Sequence, residues 1–182
     1  MTPADLERIG AEAGVSAVLS VQHDECLASW GIDYSEMRTQ GENLGLRMAR
    51  SPMRDFDIPD QRRNLAQAVR ALADLQSKGH RTYVHCTAGL GRAPLTVLSH
   101  LVWVEGLSPE EAIGLIHRAR PHAVPAWEAH HGCRGDLVAR YRPRIEGRAY
   151  ALSQARCAGE GDARSDWRQA EIEIVRSVLM CA

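Results

Sequence analysis

His85-Cys86-Thr87-Ala88-Gly89-Leu90-Gly91-Arg92 sets a cysteine and an arginine on either side of a five-residue, glycine-bearing stretch. The apolar pair Tyr83-Val84 precedes it, and residues 93–105 after it read as a helix. Where a strand turns into a helix, the loop amides and the first helical turn converge on one spot and favour an anion there. Arg92 adds a planar fork suited to bidentate contact with phosphate oxygens. The same positive field favours the thiolate form of Cys86. A thiolate beneath a bound phosphoryl group is placed for in-line attack on phosphorus. Thr87, Ala88, Gly89, Leu90, Gly91 and Arg92 are therefore the expected phosphate-binding residues, with Cys86 as nucleophile.

Other uses of these residue types fit less well. A lone buried cysteine is usually an inert small hydrophobe, and a glycine turn before a helix is usually only a turn. A nucleotide-binding loop of the Walker type needs a lysine near its end, and none is present. A metal site needs further ligands, yet only His85 adjoins Cys86, and neighbours on a strand point to opposite faces. No metal or other cofactor is expected. His85 reads as a group that orients the cysteine.

Ester hydrolysis also needs an acid to protonate the leaving oxygen. Candidates lie in Arg54-Asp55-Phe56-Asp57-Ile58-Pro59-Asp60, about thirty residues upstream of Cys86. Asp60 reads as a helix cap, because an amphipathic stretch begins just after it. Asp55 and Asp57 remain as acids.

The elements that must position these groups alternate between helix and strand. Residues 3–13 form an amphipathic helix with Gly14 as its cap, and residues 15–21 a buried strand. Residues 46–49 are a weaker strand before the acid loop, and 61–77 a helix stopped by Gly79. Residues 81–85 are then the central strand feeding the cradle. Ser108-Pro109-Glu110-Glu111 is a capping box opening a helix to about residue 119. Residues 132–152 read as helix with an interruption at Pro143. Residues 158–164 read as a linker, and 165–180 as an amphipathic helix with Trp167, Ala170, Ile174, Val175 and Val178 along one stripe. This order implies an α/β fold, a mostly parallel central sheet flanked by helices, with the cradle at the carboxyl end of a strand. Residues 1–157 are expected as the catalytic domain, and 158–182 as a linker and a helix docking on it.

A chain of 182 residues suffices for one core without disulfides or metal. Its net charge of −1 argues against a general nucleic-acid or acidic-membrane binder. No apolar run approaches a membrane span, and the N-terminus lacks the pattern of a signal peptide. Five cysteines, odd in number and irregularly spaced, point to reduced thiols and a cytoplasmic location. Cys26, Cys133, Cys157 and Cys181 read as structural or exposed thiols, any one of which could cap Cys86 in a reversible disulfide.

With His-Cys-x5-Arg following an aspartate-bearing loop, the chain resembles the cysteine-dependent dual-specificity phosphatases. The loop-to-cysteine separation typical of that family favours Asp55 over Asp57. The stretch Cys86 to Pro94 is similar to the Cys-x-Ala-Gly-x-Gly-Arg signature of the plant starch-excess glucan phosphatases, which laforin shares. Ser20-Val21-Gln22, Trp30-Gly31-Ile32-Asp33, the Arg54–Asp57 loop and Asp166-Trp167 also resemble those enzymes. The resemblance implies dephosphorylation of phosphorylated α-glucan through a thiol-phosphate intermediate, with Asp55 first as acid and then as base. Departures bear on substrate and rate. Ala93 stands where most of the wider family has a serine or threonine that helps the thiolate leave. The first strand, which carries aromatic substrate contacts in the plant enzymes, has no counterpart, and Ser29 replaces an aromatic. Residues 121–131 form a longer stretch, adding His122, Trp127, His130 and His131.

Aromatic residues bear on the substrate. Phe56, the chain's single phenylalanine, adjoins the acid. With Trp30 it could form a platform for a sugar face, though Trp30 equally suits plain packing. Trp103, inside the helix after the cradle, reads as core, and Trp167 as a docking residue. A phosphorylated glucan or other carbohydrate is thus the expected substrate. A protein or phosphoinositide phosphatase, or a non-catalytic phospho-ligand or carbohydrate-binding module, are the alternatives.

Overall fold

A computed structural model describes residues 3–156 and 162–180. Its elements in chain order are α1 (Pro3–Ala13), β1 (Ala17–Gln22), α2 (Asp24–Ser29), α3 (Tyr34–Asn43), β2 (Arg47–Met53), α4 (Ile58–Ser77), β3 (Thr82–His85), α5 (Arg92–Trp103), α6 (Pro109–Ala119), α7 (Trp127–Arg140), α8 (Arg142–Ala155) and α9 (Ala163–Met180). Among the described residues three parallel strands in the order β2-β1-β3 form the sheet, with helices packed on it. The α/β architecture read from the sequence is the one observed.

The strand that feeds the cradle is not the central one, contrary to the sequence reading. Among the described strands β1 lies in the middle, with Leu19 opposite Val84 and Ser20 opposite His85. Burial explains the order. Every residue of β1 is buried, and its side chains serve two cores. Ala17, Leu19 and Val21 join the larger core with Leu65, Val69, Leu95 and Leu98. Val18 joins a smaller one with Leu6, Met37, Leu46 and Met48. β3 is shorter and leaves Tyr83 exposed, as befits a sheet edge.

Local sequence accounts for most helix ends. Gly14 and Gly79 adopt left-handed φ values of 60° and 80° just past α1 and α4, a conformation that costs glycine little. The Ser108–Glu111 capping box forms: the Glu111 amide donates to Ser108 Oγ at 3.2 Å, and the Ser108 amide to the Glu111 carboxylate at 2.9 Å. The α4 cap is not Asp60. Asp57 accepts from the Asp60 amide at 2.8 Å, while the Asp60 carboxylate accepts from the Arg54 amide at 2.8 Å. Pro59 has no N–H to lose and fits the first turn, so the helix starts earlier. The stretch read as one interrupted helix is two. Tyr141 divides them, and Pro143 sits in the first turn of α8. α2 and α3 escaped the sequence reading, although Asp33 caps α3 by accepting from the Ser35 and Glu36 amides.

Val175, Val178 and Leu179 of α9 enter the larger core, and Arg142 of α8 lies over the Trp167 ring at 5.8 Å. Trp103 is buried as expected. Most of the expected linker, along with Cys157 and Cys181, falls outside the described residues. No helix among those described is long and apolar enough to cross a membrane.

Candidate active site

β3 ends at His85, α5 begins at Arg92, and residues 86–91 loop between them. Gly91 offers α5 no side-chain cap, so amides of its first turn remain for another acceptor. Gly89 takes φ 70°, a left-handed kink that lets the loop curl on itself. Cys86 is 7 % exposed and Arg92 1 %.

A buried guanidinium is costly unless its donors are matched, and here most of them are. One terminal nitrogen donates to the Met53 carbonyl at 2.9 Å and to Cys26 Sγ at 3.4 Å. The other donates to Asp55 Oδ2 at 2.8 Å and to Thr87 Oγ1 at 3.0 Å. Arg92 Nε is buried and finds no acceptor among the described residues. Thr87 Oγ1 also accepts from Gln22 Nε2 at 3.1 Å, which ties the loop to the end of β1. Arg92 thereby joins the ends of β1 and β2, the acid loop and α2 at one point.

The two candidate acids separate. Asp55 is paired with Arg92, whereas Asp57 caps α4. Between them Phe56 holds a left-handed φ of 55°, a conformation disfavoured for a residue with a side chain, and the residue is 94 % exposed. Asp55, Phe56 and Gln61 line a pocket of about 230 Å³ that also reaches Cys86, together with Ala88, Leu90 and Gly91 of the loop and with Val124 and Ala126. Trp30, the C-cap of α2, is 69 % exposed and does not line this pocket. The structure therefore gathers Cys86, Arg92, Asp55, the loop and Phe56 but leaves Trp30 apart.

His85 is buried, and burial pushes its pKa down to about 4, so the ring is neutral near pH 7. Its Nδ1 lies 3.3 Å from the Cys86 carbonyl. A carbonyl only accepts, so Nδ1 carries the proton. Ala93, directly after the arginine, is buried and brings no hydroxyl. Among the additional candidates His130 belongs to the core, stacked on Trp103 at 4.8 Å and bonded to Ser99 Oγ at 2.9 Å. Trp127 stacks on His131 at 5.7 Å, and the long stretch reaches the pocket through Val124 and Ala126 instead.

Sequence reasoning did not find the supports. Gln22, Cys26 beside the arginine, the Met53 carbonyl and Arg120 behind the loop all lie far from the signature in the chain. A polar residue closing an otherwise apolar strand was the available signal for Gln22.

Residues 10–131, more than half of the chain, match the family described as dual specificity phosphatase, catalytic domain, and the chain belongs to that family. The amyloplastic phosphoglucan phosphatase DSP4 of Castanea sativa is 32% identical over 146 residues, which are 79% of this chain and 38% of that protein. The chloroplastic phosphoglucan phosphatase LSF1 of Arabidopsis thaliana is 31% identical over 123 residues, 66% of this chain and 21% of that protein. The chain thus corresponds to less than half the length of either relative. The crystal structure of PTPMT1 shares the fold, with a TM-score of 0.60 at 22% identity over 79% of this chain and 90% of that one.

Proposed function

We propose that this protein hydrolyses phosphate monoesters through a cysteinyl-phosphate intermediate, and that its substrate is a phosphorylated glucan. The observation that carries the reaction is the meeting of Asp55 and Thr87 on the buried guanidinium of Arg92, beside a pocket that reaches Cys86. A phosphate dianion entering this pocket meets inward amides and the unmatched Arg92 Nε. It takes the guanidinium from the Asp55 carboxylate, which, once released, picks up a proton from solvent and faces the ester oxygen as a neutral acid. Cys86 sulfur attacks phosphorus, the phosphorus–oxygen bond breaks, and Asp55 gives its proton to the departing alkoxide. Water then attacks the thiophosphate. Asp55 takes the water's proton, the phosphorus–sulfur bond breaks, and phosphate leaves with the thiolate restored.

The names of the two plant relatives support the glucan assignment, as does an exposed ring at the pocket mouth. Phe56 would stack on a sugar face beside the phosphate, with Trp30 as a contact further along the chain of glucose units. Unpaired Cys26, Cys86 and Cys133 suit a reducing compartment, and we place the protein in the cytoplasm. The test is phosphate release from solubilised phosphoglucan, phosphopeptides and a small aryl phosphate. Glucan should be the best substrate, and Cys86→Ser should abolish turnover on all three. Phe56→Ala with Trp30→Ala should reduce release from glucan far more than from the aryl ester, because stacking contacts lie outside the cradle. Activity on phosphopeptides with none on glucan would end the substrate assignment and leave the chemistry standing.

A further inference from the structure

The chain after α6 holds the loop from behind. Arg120 Nε donates to the Gly89 carbonyl at 3.0 Å, and one of its terminal nitrogens donates to the Ala88 carbonyl at 2.8 Å. The Val124 amide donates to the Leu90 carbonyl at 2.7 Å. Three successive loop carbonyls are therefore bound by two residues of a single segment. Across a trans peptide the C=O of one residue and the N–H of the next point in opposite directions. Carbonyls 88–90 drawn toward Arg120 and Val124 turn the amides of Gly89, Leu90 and Gly91 the other way. The fit is close at Gly89, where a Cβ would stand 2.9 Å from an Arg120 terminal nitrogen and φ is already left-handed.

We propose that Arg120 is a positioning residue for the phosphate cradle, fixing the direction of the loop amides, with Val124 completing the set. This rests on the reading of residues 86–92 as an oxyanion site. A lysine would keep the positive charge but not the planar fork that reaches two carbonyls at once. The segment that binds no catalytic group in its own right thus acts through the backbone of the loop it supports.

The experiment compares the parental chain with Arg120→Met and Arg120→Lys. Thermal melts establish folding, NMR titration gives the dissociation constant for inorganic phosphate, and an aryl phosphate gives kcat and KM. Arg120→Met should keep its melting temperature within a few degrees, weaken phosphate binding about tenfold and lower kcat/KM in parallel, the size of one lost charge-assisted interaction. Arg120→Lys should recover less than half of that loss. Phosphate affinity and kcat/KM within twofold of parental in Arg120→Met would overturn the proposal, and full recovery by lysine would overturn the role of the fork. Should Arg120→Met fail to fold, the parental titration decides: the Gly89, Leu90 and Gly91 amides must shift on phosphate binding, and unmoved resonances would refute their inward direction. A parental chain that binds phosphate through these amides yet cleaves no ester would remove the phosphatase reading alone. Normal turnover in Arg120→Met would remove the positioning role alone.

Discussion

Asp55 and Asp57 are two residues apart, yet one meets a buried guanidinium and the other a helix terminus. Substitutions should separate them. Asp55→Asn should lower kcat on alkyl phosphates by about 10²–10⁴, with a smaller loss on aryl phosphates, whose leaving group barely needs a proton. Asp57→Asn should change little, since asparagine caps as well as aspartate does. Asp57→Ala should cost about 1 kcal/mol of stability with activity retained. Steady-state rates and melts on all three variants check this, and a catalytic loss in Asp57→Asn would move the acid role by two residues. Ala93 makes a second residue-scale case. Lacking a hydroxyl next to Arg92, the chain should release phosphate from sulfur slowly, so an aryl phosphate should give a burst of alcohol before steady state. Ala93→Ser should shrink the burst and raise kcat. An unchanged burst would place the slow step elsewhere.

The strand–loop–helix unit works because its neighbours close around it. β1 carries the central position and reaches the loop through Gln22, while β2 ends at Met53, whose carbonyl receives Arg92. Three buried histidines connect these elements to pH. His85 at the end of β3 and His130 on α7 are each pushed by burial to about 4, and burial also holds His100 on α5 below its ordinary value. In the unfolded chain histidine titrates near 6.5. Above that value both states are neutral and stability is at its full level. As pH falls from 6.5 toward 4 the unfolded chain binds protons that the fold excludes, so stability declines. Between pH 7.5 and pH 5 the loss should be roughly 2 kcal/mol each for His85 and His130. Urea unfolding at the two pH values measures it, and His130→Phe should remove its share of the difference. Equal stability at both pH values would mean that these rings accept protons in the folded state.

At the scale of the molecule, the family match ends at residue 131, whereas the larger core continues through α7 and α9. Arg134 pairs with Glu171 at 2.6 Å and Arg148 with Glu173 at 2.5 Å, joining α9 to α7 and α8. Those partly exposed pairs contribute little, so burial must hold the helix. We propose that α9 folds as one unit with the catalytic core. Leu179, fully enclosed, should on replacement by alanine cost about 3 kcal/mol and lower the midpoint of a single cooperative transition. A separate early transition, with the core melting at its parental temperature, would instead mark α9 as an independent appendage.

Residues 86–92 disclosed the oxyanion chemistry in the sequence itself, because loop amides, glycine turns and an arginine at fixed spacing form a local constellation that few other arrangements satisfy. Helices with capping boxes or terminal glycines were legible for the same reason: their determinants lie within a few residues of one another. Other features depended on contacts distant in sequence. Whether β1 or β3 takes the central place is decided by which strand buries both faces, and that is a property of two cores assembled from the whole chain. Asp55 and Asp57 have the same carboxylate, and their surroundings part them in the fold: Arg92 reaches Asp55 from across the chain, while Asp57 caps α4. Gln22 shows in the sequence only as a polar residue closing an apolar strand, and Arg120 carries no signature at all. Each bonds the loop from far along the chain, and such groups become visible only once tertiary packing has brought their donors within reach of its hydroxyl and carbonyl oxygens.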